Sequence, residues 1–191
     1  MADDLVTTLY VPDAGEEPLL ALADVSILRA APLTRLSFRG RETAQAVLGK
    51  AFDMDLPQRP LTCALGGDRA ALWLGPDEWL LLAGDEENGD LQPTLEREMD
   101  GIPCALVDIS HRQDALLVTG QHAARLLNSG IPIDLHPESF AVGTVTRTLF
   151  HKAPVMLWRI GSDAFVVEAW GSFMDYASGL LTEAAQELTV A

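Results

Sequence analysis

Three side chains able to do hydrolytic or acyl-transfer chemistry stand close together in this sequence: Asp108, Ser110 and His111, in the run DISHRQ. A nucleophilic triad needs hydroxyl, imidazole and carboxylate to converge on one point, usually from different elements of the fold. Adjacency works against that here. Ser110 and His111 are chain neighbours, and neighbours in an extended segment point to opposite faces. A Gly-x-Ser-x-Gly elbow is also absent from the sequence. Asp108 and Ser110 are instead expected to bond backbone amides where a strand ends.

The other reactive residue types are dispersed. His122, His136 and His151 fall in helix, turn and loop contexts, with no partner at metal-ligand spacing. Cys63 and Cys104 lie far apart in apolar surroundings, without a Cys-x-x-Cys pair, so buried reduced thiols are expected. The run Asp85-Glu86-Glu87-Asn88-Gly89-Asp90 reads as a solvated acidic turn, because it lacks the ligand spacing and closing Glu of a calcium loop. Gly66-Gly67 is a turn, since no Lys-Ser or Lys-Thr follows on a helix to complete a phosphate loop. A dinucleotide fingerprint is missing too. No catalytic, cofactor-binding or metal residues are therefore expected on this chain.

The elements around DISHRQ are better defined than any site. Between Val107 and Leu135 the spacing predicts a strand at Ala115 to Thr119, a tight turn at Gly120, and a helix over Gln121 to Asn128. Arg35 to Leu56 repeats the pattern, with Gly40 answering Gly120, Ala44 answering Ala124 and Val47 answering Leu127. Downstream, Leu72-Trp73-Leu74-Gly75 answers Trp158-Arg159-Ile160-Gly161, and each run opens a hairpin through an Asp-containing turn. Each hairpin leads to a helix, Leu91 to Met99 and Phe173 to Leu188. In the second of these, Phe173, Tyr176, Leu180 and Ala184 form an apolar stripe behind Ser172 as N-cap. A weaker echo sets Asp24-Val25-Ser26 against Asp108-Ile109-Ser110.

The expected fold is α+β, with two related half-domains, each a strand-helix-hairpin-helix unit on a mostly antiparallel sheet. Residues 1–21 read as an acidic arm, 22–100 as the first half-domain and 101–191 as the second, with Gly101-Ile102-Pro103 at the joint. Two copies of such length fit a fused pair better than a solenoid.

Composition narrows the function classes. The chain has 191 residues, 48% of them hydrophobic, and a formal charge of −15, with Lys50 and Lys152 its lysines. Nucleic acid needs clustered cations, and anionic membrane surfaces need the same, so neither is an expected partner. No apolar run reaches the ~18 residues of a membrane span. The first residues carry acid where a secretory signal carries base, and a cytoplasmic location is expected.

The aromatic residues point to assembly. In the strand from Pro154 to Ile160, Val155 and Leu157 face one side while Met156, Trp158 and Ile160 face the other. A sheet apolar on both faces must cover each with its own helices or lend one to a partner. Trp, Met and Arg are enriched at interface cores, so Met156, Trp158, Arg159 and Trp170 are the candidate partner-contact residues.

The set DISHRQ, ALLVTG, AARLLN, then VGTVTRT, KAPVMLWRIGSDAF and VEAW resembles the gamma subunit family of heterotetrameric sarcosine oxidases, across residues 22–188. More distantly the same segments resemble the folate-binding region of the aminomethyltransferase (T-protein) of the glycine cleavage system. The first resemblance implies a small subunit beside alpha, beta and delta subunits in a complex that oxidises sarcosine. Its products would be glycine, hydrogen peroxide and either formaldehyde or 5,10-methylenetetrahydrofolate. It also implies that FAD, FMN, NAD and tetrahydrofolate are held on the partner subunits and none on this chain. The aminomethyltransferase pattern has acidic residues just before the strand that corresponds to Val155–Arg159. Here those positions are Lys152, Ala153 and Pro154, none of which can exchange a proton with folate. The expected role is therefore non-catalytic. The alternatives are a free-standing folate-dependent aminomethyltransferase and an assembly protein unconnected with amine oxidation.

Overall fold

A computed structural model of the chain describes residues 9–15, 17–84 and 89–188. The acidic run from Asp85 to Asn88 and the first eight residues of the expected arm lie outside the described residues. The chain divides into two compact units, one built on Pro32–His111 and one on Tyr10–Ala31 together with Arg112 onward.

The first unit holds β3 (Leu33–Gly40), α1 (Glu42–Ala51), β4 (Cys63–Gly66), β5 (Arg69–Gly75), β6 (Glu78–Gly84), α2 (Leu91–Glu98) and β7 (Cys104–Asp108). Its sheet is antiparallel in the order β4-β5-β6-β3-β7. Alternate residues Leu36 and Phe38 of β3, with Trp79 and Leu81 of β6, bury against Leu48 of α1 and Leu95 of α2. The strand-to-helix corner needs glycine at position 40. A Cβ there would lie 2.5 Å from the Phe38 ring and 2.8 Å from the Ala44 methyl.

The second unit holds β1 (Leu20–Ala21), β2 (Ser26–Arg29), β8 (Gln113–Thr119), α3 (Ala123–Leu127), β9 (Val145–Phe150), β10 (Ala153–Gly161), β11 (Ala164–Trp170) and α4 (Gly171–Leu188). The order is β1-β2-β8-β11-β10-β9, again antiparallel. Leu116 and Val118 of β8, Val155 and Leu157 of β10, and Phe165 and Val167 of β11 form the face packed by α3 and α4. Gly120 answers Gly40 with φ +113, and a side chain there would run into the Asp24 carbonyl.

The α+β class and antiparallel sheets agree with the sequence; three details differ. The division at 100/101 is displaced, because β7 pairs with β3 in the first unit while β2 pairs with β8 in the second. Each repeat thus begins with a strand that completes the sheet of the other. Sequential strands usually pair with each other, and that default is what fails here. The described part of the arm is not a free arm: Tyr10 is buried, Pro12 bridges to Ala30, and Leu20–Ala21 extends the second sheet. In α4 the buried stripe is Met174, Ala177, Leu181 and Ala185, one residue on from the expected one. Two adjacent stripes both satisfy helical spacing, and only tertiary packing selects between them.

Candidate functional site

The corner after β7 is where a triad would have to form. The Ile109 amide donates to the Arg35 carbonyl at 2.8 Å, and a 3-10 turn follows over Ser110–Arg112. Asp108 Oδ1 accepts from the Ser110 amide at 2.8 Å and from its hydroxyl at 2.6 Å. That same hydroxyl accepts from the Arg35 amide at 2.9 Å. Its proton and a lone pair are both committed to holding the corner against β3. The arrangement is a backbone brace, in keeping with the reading of Asp108 and Ser110 from sequence.

The second place to look is the turn into β10. His151, at φ +51, and Lys152 form the exposed two-residue connection from β9, and the His151 amide donates to the Gly130 carbonyl at 2.8 Å. Ala153 is buried and Pro154 is exposed. The turn offers a basic side chain, an imidazole edge-on to Phe150 and an apolar strand start. A carboxylate is not among these residues.

The structure separates the four candidate partner-contact residues. Trp158 is 0% exposed, Arg159 3% and Met156 6%, so these three lie inside the chain and present nothing to a partner. Their candidacy is corrected accordingly. Arg159 shows the physical reason most plainly. Its Nε donates to the Gly161 carbonyl at 3.2 Å, and Nη1 donates to Leu135 and Phe140 at 3.1 and 2.9 Å. Nη2 donates to the Ser162 carbonyl, and the guanidinium lies 5.1 Å from the Phe165 ring centre. It ties the loop before β9 to the hairpin after β10. Trp158 meets Tyr10 edge-on at 5.9 Å, and the Tyr10 hydroxyl donates to Glu168 Oε1 at 2.5 Å. Trp158 Nε1 has no hydrogen-bond partner among the described residues.

Trp170 is different. It closes β11, stays 44% exposed, and carries the Arg112 guanidinium 3.9 Å from its ring centre, with Phe173 at 6.3 Å. Arg112 was not singled out from sequence. No local pattern marks it, because the contact depends on Trp170 pairing with Gln113 across β11 and β8.

Clefts lie in the first unit among the described residues. One, of about 650 Å³, is lined by Arg39, Arg41, Asp77 and the apolar run Ile102-Pro103. Arg39 there is held by Glu78 at 2.6 Å, and that bonding pushes its pKa further above the ordinary arginine value. Another, of about 690 Å³, is lined by Glu42, Gln45 and Asp55 along α1. In the second unit the Asp134 carboxyl is held below its usual pKa. The cause is first the His136 amide at 2.9 Å and then the Ser139 hydroxyl at 2.7 Å. Among the described residues no three His, Cys, Asp or Glu side chains group as a metal site. No helix among them is long and apolar enough to cross a membrane.

Comparison with known proteins gives one consistent result. Residues 40–187 match the "Sarcosine oxidase, gamma subunit family". The sarcosine oxidase subunit gamma of Corynebacterium sp. (strain U-96) is 34% identical, over 94% of this chain and 91% of that protein. The subunit of that name from an Arthrobacter sp. is 31% identical, over 87% and 86%. Among solved structures, a chain of the heterotetrameric sarcosine oxidase from Corynebacterium sp. U-96 superposes with a TM-score of 0.81 at 34% identity, covering 87% of this chain and 86% of that one. The aminomethyltransferase T of Bartonella henselae superposes with a TM-score of 0.66 at 13% identity, covering 83% of this chain and 45% of that one. The second likeness is one of fold.

Proposed function

The chain belongs to the sarcosine oxidase gamma subunit family, and from that premise we propose that it serves as the small, non-catalytic subunit of a heterotetrameric sarcosine oxidase. Its neighbours would be the alpha, beta and delta subunits. Oxidation of sarcosine to glycine, with hydrogen peroxide and either formaldehyde or 5,10-methylenetetrahydrofolate, would take place on them. FAD, FMN, NAD and tetrahydrofolate would be bound there, in a cytoplasmic complex.

The observation that carries this reading is the match, over 87% of this chain, to a chain of such a complex, at a TM-score of 0.81. The site geometry is consistent with it. Asp108 and Ser110 are spent on a backbone brace, and the turn into β10 presents Lys152, Ala153 and Pro154 where folate chemistry would ask for a carboxylate. A fold shared with an aminomethyltransferase does not bring its activity along. Trp170, exposed and stacked on Arg112, remains the candidate partner-contact residue. Its pairing of aromatic and guanidinium is typical of the anchors that dominate interfaces.

The test is a pull-down of the tagged chain from its native host, with an absorbance spectrum of the captured material. Co-capture of three further polypeptides with flavin absorbance and sarcosine-dependent peroxide is expected. Capture of the chain alone, or oxidase turnover by the purified chain, would overturn the proposal.

A further inference from the structure

Three features meet on the outer flank of α4. The first is apolar surface. Beside the buried stripe runs the second one, of which Phe173, Leu180 and Ala184 are only partly covered and Tyr176 is 41% exposed. The second is charge. Over its 18 residues the helix carries Asp175, Glu183 and Glu187 and no lysine or arginine. Asp175 has Arg29 at 3.4 Å, while Glu183 and Glu187 make no ion pair among the described residues. Both lie toward the C-terminal end, where unpaired carbonyls already make the helix negative, so each destabilises it.

The third feature is Gly179, in the middle of the helix on its exposed side. A Cβ at this position would meet nothing within 4 Å, so no neighbour in the chain requires a glycine. Glycine in a helix interior is unfavourable relative to alanine. It lies three residues after Tyr176 and four before Glu183, which puts all three on one side of the helix. A glycine facing open space, an apolar strip at helical spacing and uncompensated acid on its rim suit the approach of another helix.

We propose that this flank docks an amphipathic helix of a neighbouring subunit. Its apolar side lies on Phe173, Tyr176 and Leu180, its backbone approaches at Gly179, and its lysine or arginine side chains reach Glu183 and Glu187. A second copy of this chain fits poorly, since it would bring the same carboxylates and another −15 to the contact. The inference rests on the reading that the chain works inside an assembly.

Two variants test it, each chosen to leave the lone helix as stable or more so. Gly179→Leu raises helix propensity while filling the approach point. Glu183→Lys with Glu187→Lys suits the negative end of the helix while reversing the rim charge. With the other subunits co-expressed, each variant is expected to keep or raise the melting temperature of the lone chain. Each should weaken its affinity for the complex by about tenfold or more. Wild-type affinity should also fall as salt is raised. Both variants assembling with wild-type affinity would overturn the docking face and leave the proposed function standing. A wild-type chain that dimerises through this face would overturn it in favour of self-association. If the wild-type chain captures no other subunit, the proposed function falls as well.

Discussion

Replacing Arg159 with methionine tests the assignment of this residue to the interior. The side chain is 3% exposed and donates to four carbonyl oxygens, those of Leu135, Phe140, Gly161 and Ser162. Hydrogen bonds from a charged donor contribute roughly 1.5–3 kcal/mol each, so four of them sum to about 6–12 kcal/mol before desolvation. Removing a guanidinium from water offsets several kcal/mol of that, and methionine recovers part of the packing against Phe165. The net loss expected is about 3–5 kcal/mol, a large share of the ~5–15 kcal/mol that holds a typical domain. Urea denaturation of the lone chain, followed by tryptophan fluorescence, reads it directly. Arg159→Lys should recover less than half of the loss, because an ammonium cannot span four separated carbonyls. A loss below about 1 kcal/mol in the lone chain, with a large loss on assembly, would refute the reasoning and return Arg159 to the interface.

The two tryptophans should part company. Trp158→Ala is expected to cost the lone chain about 3–5 kcal/mol as a core truncation. Trp170→Ala should cost it about 1 kcal/mol through the lost Arg112 stacking, with a larger effect on pull-down affinity. The carboxyl of Asp134 has a lowered folded pKa, so it contributes stability that is present above its unfolded value near pH ~4 and lost as pH falls through the folded value. Urea midpoints between pH ~6 and ~3 should therefore fall less steeply in Asp134→Asn than in wild type. Cutting the chain between Asp100 and Gly101 should leave two fragments that fold only when mixed, since β7 would be lost to one sheet and β2 to the other. A well-dispersed NMR spectrum from either fragment alone would count against the observed pairing.

That exchange of first strands also explains what the sequence could and could not reveal. Periodicity reports which residues of a strand face the core, and it located β8, β10 and β11 and the hairpins well. Edge pairing depends on backbone groups that every strand carries alike, so nothing in SILR or CALVD announces which sheet each will join. The same limit applies to Met156, Trp158 and Arg159, whose types suit either an interface or a core. Only the positions of Leu135 and Phe140, far along the chain, settle the matter for Arg159. The exposure of Trp170 follows from its place at the end of β11, after the last strand residue that needs cover. Arg112, its partner, was not legible, because the pair meets only through strand register.

The deeper regularity is that the two halves solve one problem with different side chains. Each hairpin has its register shift at the same place, between Trp73 and Gly75 in β5 and between Arg159 and Gly161 in β10. That coincidence aligns Trp73 with Arg159 and Trp79 with Phe165. In each half a loop runs from the first helix to the hairpin, and its inward carbonyls need donors. In the first half the Trp79 indole supplies one, reaching the Pro57 carbonyl at 2.8 Å. In the second half the aligned ring is Phe165, which has no N–H to give, and the Arg159 guanidinium stands above it to reach Leu135 and Phe140. The half that lacks a donor at one position has one at the other. The buried Arg159 guanidinium, with no carboxylate partner among the described residues, is then accounted for by the carbonyls of its own half, and needs no partner subunit to explain it.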